Sequence, residues 1–431
     1  MGEDSITIKK LFQWLTHSLR PLTLRELAEA ISIEIGQARM DFSAVPTDPA
    51  DILRFCGGLV TIAGHDDQET VNFSHFSIKE FLLSPRILDT EVAEFYGGSP
   101  AMIYDVAVIC LTYITMDDFA DGQCLECTKL KERGRKYGFL RYAASQWYSH
   151  YKEVDAAFQG ELEDLLWHFF IDSDMARPFE SWLQQLELEY FRVDDYEWDP
   201  TYERAHWSKN ERKLVLTVIQ KSPPLYHAAS LGLASLVKKL VEQGHDMNAK
   251  SSSHRGGKEF PILAAASGRH WDTVGLMVDL GARLDVFSNN GETLLSSIAT
   301  ASDPRLWPLF NKVLEKGGIV DSPRRYPRQE SLLGTLALDP SDPWDKMELL
   351  IRNGADVNEV HRFEITPLPG AGGFFQGNPP LQLAAFQGNM RVVKGLIQAG
   401  ARVDFSHCEL GSPSKQLLLL TARKLLCTCL T

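Results

Sequence analysis

The chain has no G-x-x-x-x-G-K-[ST] loop, no H-E-x-x-H and no G-x-S-x-G. The phosphate cradle, helical zinc pair and nucleophile elbow that these motifs build are therefore excluded in their usual forms. The nearest glycine pairs, Arg255–Gly256–Gly257–Lys258 and Gly97–Gly98, lack the spacing and the following Ser or Thr. Carboxylates do cluster at Asp172, Asp174, Asp194, Asp195, Glu197 and Asp199. They flank Tyr190, Phe191, Tyr196 and Trp198 in a segment read as a loop, which fits a solvated acidic connector better than a general acid and base. No residue is assigned a catalytic role.

Cysteine is sparse, with 7 in 431 residues and no framework spacing, which suits a reducing cytoplasm or nucleus. Cys124 and Cys127 form one C-x-x-C, but a structural zinc site needs a second pair. Cys427-x-Cys429 is distant and wrongly spaced, and His150 and His168 could join only by assumption. No metal site and no cofactor are assigned. No apolar run is long enough to cross a bilayer, LLLL at 417–420 included, so no membrane span is expected. The N-terminus, ITIKKLFQWLTHSLR, is broken by charges and reads as no signal peptide. Positive charge is in deficit, 44 Lys and Arg against 57 Asp and Glu, net −13. Such a surface repels nucleic-acid backbones and anionic membranes.

What is present is periodicity. In the second half a glycine is followed four residues later by Asn or Asp five times: Gly244/Asn248, Gly281/Asp285, Gly317/Asp321, Gly354/Asn358 and Gly400/Asp404. Apolar anchors precede them at Leu225, Ile262, Leu295, Leu333 and Leu381, nineteen residues ahead in the first, second and fifth units. In the third and fourth units the distance is twenty-two and twenty-one. Repetition on this scale means stacked supersecondary units. Ala228–Ala229, Ala265–Ala266 and Ala384–Ala385 are small enough for helices to approach closely. Each glycine is expected to end a helix in a left-handed cap, and the Asn or Asp to open the next turn.

The segments PPLYHAASLGLASLVKKLVEQGHDMNA, FPILAAASGRHWDTVGLMVDLGARLDV and PPLQLAAFQGNMRVVKGLIQAGARVDF resemble ankyrin repeats. The third and fourth units keep LEKGGIVD and LLIRNGADVN behind weak first helices. No unit keeps both the Thr and the His of the family's TPLH. Their places hold Pro223/Tyr226, Phe260/Leu263, Thr293/Ser296, Ser331/Gly334 and Pro379/Gln382. Losing those local bonds would cost about 1 kcal/mol per site. The expectation is an array loosest around Asp303–Pro308 and Pro340–Pro343.

The first ninety residues read as three helices, a hairpin and a further helix. Ile8–Leu19 carries one apolar stripe, and Thr23 with Glu26 forms a capping box for a helix through Ile31. Asp48–Phe55 is a third helix ended by Gly57–Gly58. Leu59–Ala63 and Thr70–Ser74 are strands, and His75–Leu83 is helical again. This is a winged-helix arrangement. A DNA-reading third helix needs a basic face; TDPADILRF sets Asp48 and Asp51 against Arg54 alone. The aromatic residues Trp147, Tyr148, Trp167, Phe169, Phe170, Trp182, Trp198 and Trp207 in the 95–220 segment read as helical core.

RPLTLRELAEAISI, DILRFCGGLVTI and VNFSHFSIKEFLLSPR resemble the winged-helix domain of NACHT-type (STAND) signalling NTPases with C-terminal ankyrin repeats, of the fungal kind. AVICLTYITMDDF and FLRYAASQWYSHY resemble their helical spacer. The resemblance implies a mainly α protein with a winged-helix domain over 1–90, a helical spacer over 91–220 and an ankyrin solenoid over 221–431. It also makes His75 the counterpart of a histidine that touches ADP in such proteins. Without a P-loop, that residue is expected to be vestigial for nucleotide sensing and to tie the wing to the next helix.

Function is then expected in protein recognition. The basic inter-repeat segments KSSSHRGGK and SPRRYPRQ, and the insertion over 359–379, supply Arg255, Arg324, Arg325, Arg328, Phe374 and Phe375. These could anchor an acidic partner segment; ordinary solvated turns fit them as well. The apolar tail with Leu417–Leu420, Leu425 and Leu426 either caps the last repeat or leaves an open edge, as in a truncated or degenerate relative of a larger receptor. The expectation is a non-enzymatic adaptor or the regulatory and sensing half of a switch whose nucleotide core is absent or supplied in trans. The alternative is a winged-helix DNA-binding regulator that chooses partners through its repeats.

Overall fold

The computed structural model describes residues 3–64, 69–171, 178–186, 223–251, 259–289, 291–301, 303–320, 331–359 and 379–403. The chain divides into two compact units, Met1–Gln220 and Lys221–Thr431.

The first unit opens with α1 (Glu3–His17), a two-residue strand β1 (Leu22–Thr23) and α2 (Leu24–Ser32). Thr23 and Glu26 make the expected capping box. Strands β2 (Val60–Ala63) and β3 (Thr70–Phe73) follow, then α3 (Phe76–Leu83). The sheet has three antiparallel strands in the order β1-β3-β2, with Leu22 opposite Val71 and Val60 opposite Phe73. The third helix is a 3-10 helix over Pro49–Cys56, capped by Asp48 and ended by left-handed Gly57.

Helices α4 (Pro100–Ile114), α5 (Cys127–Lys136), α6 (Leu140–Glu153), α7 (Ala156–Ile171) and α8 (178–186) follow among the described residues. They share their interior with the winged-helix elements. Trp14 of α1 is fully buried, its ring centroid 5.1 Å from Phe139 and 5.8 Å from Tyr142. Trp147, Phe169, Phe170 and Trp182 form a second aromatic cluster, so these side chains are core as expected. Pro100–Phe119, with mean hydropathy 1.3, is long and apolar enough to cross a membrane by length and composition. The run Val106–Ile114 is buried inside the unit, as a helix that is apolar all round must be in a protein core.

The second unit is a series of helix pairs: α9 (Pro224–Ser230) and α10 (Ala234–Glu242), α11 (Pro261–Ser267) and α12 (Trp271–Asp279), α13 (Leu294–Thr300) and α14 (Trp307–Glu315), α15 (Leu332–Ala337) and α16 (Trp344–Arg352), α17 (Pro380–Gln387) and α18 (Met390–Gln398). All five anchor residues are buried. The five marker glycines take φ of 88°, 88°, 89°, 97° and 89°. A Cβ at any of them would meet nothing within 4 Å, so backbone conformation and not space demands glycine there. After each, the next N–H closes a Schellman bond: His245 to Leu240, Ala282 to Met277, Gly318 to Val313, Ala355 to Leu350 and Ala401 to Leu396. Each of those five acceptor residues is fully buried, so the cap locks the helix end onto the core.

The Asn marks join neighbouring units. Asn248 Oδ1 accepts from Arg283 N at 2.9 Å, and Asn358 Oδ1 accepts from Arg402 N at 2.8 Å. The lost TPLH bonds are a partial correction. The third unit caps α13 with a Thr293–Ser296 box, and Ser331 accepts from Gly334 N in the fourth. The units with the weakest first helices therefore have side-chain caps, while α9, α11 and α17 carry Pro at the first turn and no such bond. Asp303 likewise caps a 3-10 turn, Pro304–Leu306, that leads into α14 where looseness was expected.

Units four and five pack through Gly395, where an added Cβ would run into the Trp344 indole. Ala for Gly in a helix normally gains about 1 kcal/mol. Against a flat indole the overpacking cost of about 1–3 kcal/mol should win. Gly395→Ala is expected to destabilise the native chain and to become stabilising in a Trp344→Ala background. Denaturant unfolding of the four variants in a double-mutant cycle checks that reversal of sign.

Candidate functional site

A cavity of about 180 Å³ opens between α11, α13 and α15, lined by Ser267, Arg269, Trp271, Glu292, Ser297 and Thr300 among others. Its position follows from the repeat geometry. First helices of adjacent units stand side by side, and the turn before α13 brings Glu292 beside them. That turn is held by Ser288, whose hydroxyl accepts from Glu292 N at 3.0 Å.

Arg269 is the unusual residue of this wall. It follows α11 with φ of +59°, where the matching corners of the first and fifth units have Gly232 at +72° and Gly388 at +81°. The match is set by hydrogen bonding. Leu233 N reaches Ala228 O, His270 N reaches Ala265 O and Asn389 N reaches Ala384 O, all near 3 Å. A left-handed L-residue costs about 1–2 kcal/mol relative to glycine. The exposed Arg269 guanidinium makes no ion pair among the described residues. Trp271 is half-buried beside it.

Four hydroxyls of the wall are already committed as donors. Ser296 Oγ donates to Thr293 O at 2.8 Å, and Ser297 Oγ to the same carbonyl at 3.2 Å. Thr300 Oγ1 donates to Ser296 O at 2.8 Å, and Thr335 Oγ1 to Ser331 O at 3.2 Å. What these oxygens offer the cavity is lone pairs. Sequence reasoning missed this group. The available signal was an arginine in the corner position that carries glycine in its best-matched neighbours.

The residues proposed from sequence for partner contact, Arg255, Arg324, Arg325, Arg328, Phe374 and Phe375, lie outside the described residues. His75 caps α3: its Nδ1 accepts from Ser77 N at 3.2 Å, and the exposed ring rests on Phe76 at 4.5 Å. Phe76 is 68% exposed. With Leu15, Leu19, Phe73 and Leu83 it lines a groove of about 560 Å³. On the helix considered for DNA reading, Arg54 is paired with Asp51 at 2.9 Å, and Asp48 is spent as the cap. Cys124 is half-buried, and burial is the main cause raising its thiol pKa, which disfavours a reactive thiolate at neutral pH.

These features define a mainly α protein with a winged-helix segment and an ankyrin array. The sequence matches the family described as GPI inositol-deacylase, winged helix domain, over residues 4–95, and the ankyrin repeat over residues 376–407. It is similar to azaphilone pigments biosynthesis cluster protein L of Monascus ruber, 26% identical over 288 residues, or 63% of this chain and 55% of that one. It is 28% identical over 240 residues to transient receptor potential cation channel subfamily A member 1 of Drosophila melanogaster, covering 46% of this chain and 18% of the channel. The chain thus spans about half the length of the first relative and under a fifth of the second. Among solved structures, an ankyrin repeat domain from Acinetobacter baumannii AYE matches with TM-score 0.36 and 19% identity, over 48% of this chain and 97% of that one.

Proposed function

We propose that this chain is a non-enzymatic interaction protein, an adaptor or the regulatory half of a STAND-type receptor whose nucleotide core acts in trans. The observation that carries this reading is the array itself. Five units, each closed by the same left-handed glycine cap, set out helix pairs of the kind whose faces hold a protein. The winged-helix match and the exposed groove beside His75 support the regulatory part of the proposal. An acidic partner segment across Arg255, Arg324, Arg325 and Arg328, anchored by Phe374 and Phe375, belongs to the same reading.

Cross-linking mass spectrometry from native extract is the direct test. Cross-links from 223–403 to another protein are expected, and a partner held equally well after joint Arg324/Arg325/Arg328→Glu and deletion of 370–377 would remove the basic-finger contact. The purified chain is expected to show no ADP-dependent thermal shift; a clear shift abolished by His75→Ala would overturn the nucleotide-free reading. The DNA-binding alternative requires a steeply salt-dependent affinity for duplex DNA. The Arg54–Asp51 pair works against it.

A further inference from the structure

We infer that the cavity between α11, α13 and α15 is a subsite for the carboxamide of a glutamine or asparagine carried by an extended segment of a partner protein. The inference deepens the protein-binding reading and rests on it. Size is the first argument. At about 180 Å³ the cavity is smaller than the 300–1,000 Å³ typical of small-molecule pockets, and it suits a single side chain.

Polarity selects which one. Arg269 is on the lining, and its guanidinium is a donor with no acceptor capacity. The helix wall presents Ser297, Thr300 and Thr335, whose hydrogens are engaged by helix carbonyls, and Glu292 lies on the same lining. An entering carboxylate would suit Arg269 but would face Glu292 and hydroxyl lone pairs. An ammonium would suit those acceptors and meet the guanidinium. A carboxamide has an acceptor oxygen at one corner and two N–H donors at the other, so it satisfies both sides at once. The half-buried indole of Trp271 adds a flat apolar surface against which the methylenes can lie.

The corner geometry gives the arginine a purpose. Glycine would relax the left-handed φ of +59°, as it does at Gly232 and Gly388, yet it would withdraw the one arginine on the lining among the described residues. Local backbone strain of this kind gathers at binding sites.

A random-peptide phage library panned on the full chain tests this. Selected peptides are expected to share a Gln or Asn, and changing that residue to Glu or to Lys should each weaken binding about tenfold. Arg269→Gly should fold at least as stably as the parent, since it restores the corner found in the first and fifth units, and should lose about tenfold in peptide affinity. Thr300→Val should weaken binding in the same direction. The subsite is overturned if the shared residue is acidic or basic, if Arg269→Gly binds peptide undiminished, or if no peptide is selected. Failure of protein binding as a whole is read separately, from the cross-linking experiment on the parent chain.

Discussion

Glu29→Leu is expected to release the first unit's interior, with amides of 100–153 losing hydrogen-exchange protection while those of 223–403 keep theirs. Glu29 on α2 is 2% exposed. Its carboxylate accepts from Tyr113 Oη at 2.7 Å, Gly138 N at 2.8 Å and Phe139 N at 2.9 Å. One side chain therefore ties the winged-helix segment to α4 and to the start of α6. Arg25 stands 3.6 Å away, half-exposed, and supplies partial charge compensation. Burial, first, and the neighbouring carboxylate, second, raise the Tyr113 hydroxyl well above its ordinary pKa, so it stays protonated and donates.

Leucine would leave two backbone donors and one phenol without partners. Each orphaned group costs about 1–3 kcal/mol, and the losses overlap because they share one acceptor. Removing one member of a buried charged network typically costs about 3–5 kcal/mol, a large share of the about 5–15 kcal/mol that holds a domain together. Glu29→Gln retains one acceptor oxygen but turns an amide toward a backbone N–H, so about half that loss is expected. Tyr113→Phe removes one bond only and should cost about 1 kcal/mol. If Glu29→Leu left protection in 100–153 unchanged, the carboxylate would be no keystone.

The five marker glycines were legible because positive φ is a property of single residues, and Gly-to-Asn/Asp spacing repeats it where chance would not. The Thr23–Glu26 box was legible for the same local reason. Features set by distant partners were not. Strand β1 is two residues long and exists only because Leu22 meets Val71 across the sheet. The apolar stretch at Pro100–Phe119 was not legible as a run because Asp105, Asp117, Asp118 and its two tyrosines interrupt it. In the third and fourth repeats, looking for a Thr–His pair hid the fact that a hydroxyl alone caps the helix. Arg269 showed only when its unit was set against the first and fifth. Nothing local announces that an arginine occupies a left-handed corner, and its neighbours in the cavity come from three different repeats.

Acidification is expected to weaken the first unit well before its carboxylates titrate, through His150. The ring is 1% exposed on α6, edge-on to Trp14 with centroids 6.4 Å apart, and its Nε2 is 2.9 Å from Tyr142 Oη. Tyr142 Oη also accepts from Leu19 N at 3.0 Å. Other titratable and charged groups around this site are His17 on α1, Cys110 on α4, and Arg20 and Glu26 beside Tyr142. Desolvation, the largest cause, and the positive charge of His17 push the His150 pKa from 6.5 down to about 4. His17 is shifted downward too, again mainly by burial.

The sign follows from which state binds the proton more readily. The unfolded chain protonates His150 near its ordinary value, while the folded chain resists until about pH 4. Its contribution is therefore fully present above about pH 6.5 and declines as pH falls from there toward 4, where the loss levels off. A depression of this size, at about 1.4 kcal/mol per pH unit, amounts to about 3 kcal/mol. His150→Gln removes the titrating group, so its stability between pH 7 and 4 should fall less steeply than the parent's by about that amount, the remaining slope belonging to His17 and the acids. Parallel curves for parent and variant, measured by urea unfolding at each pH, would mean that His150 takes up its proton without opening the fold.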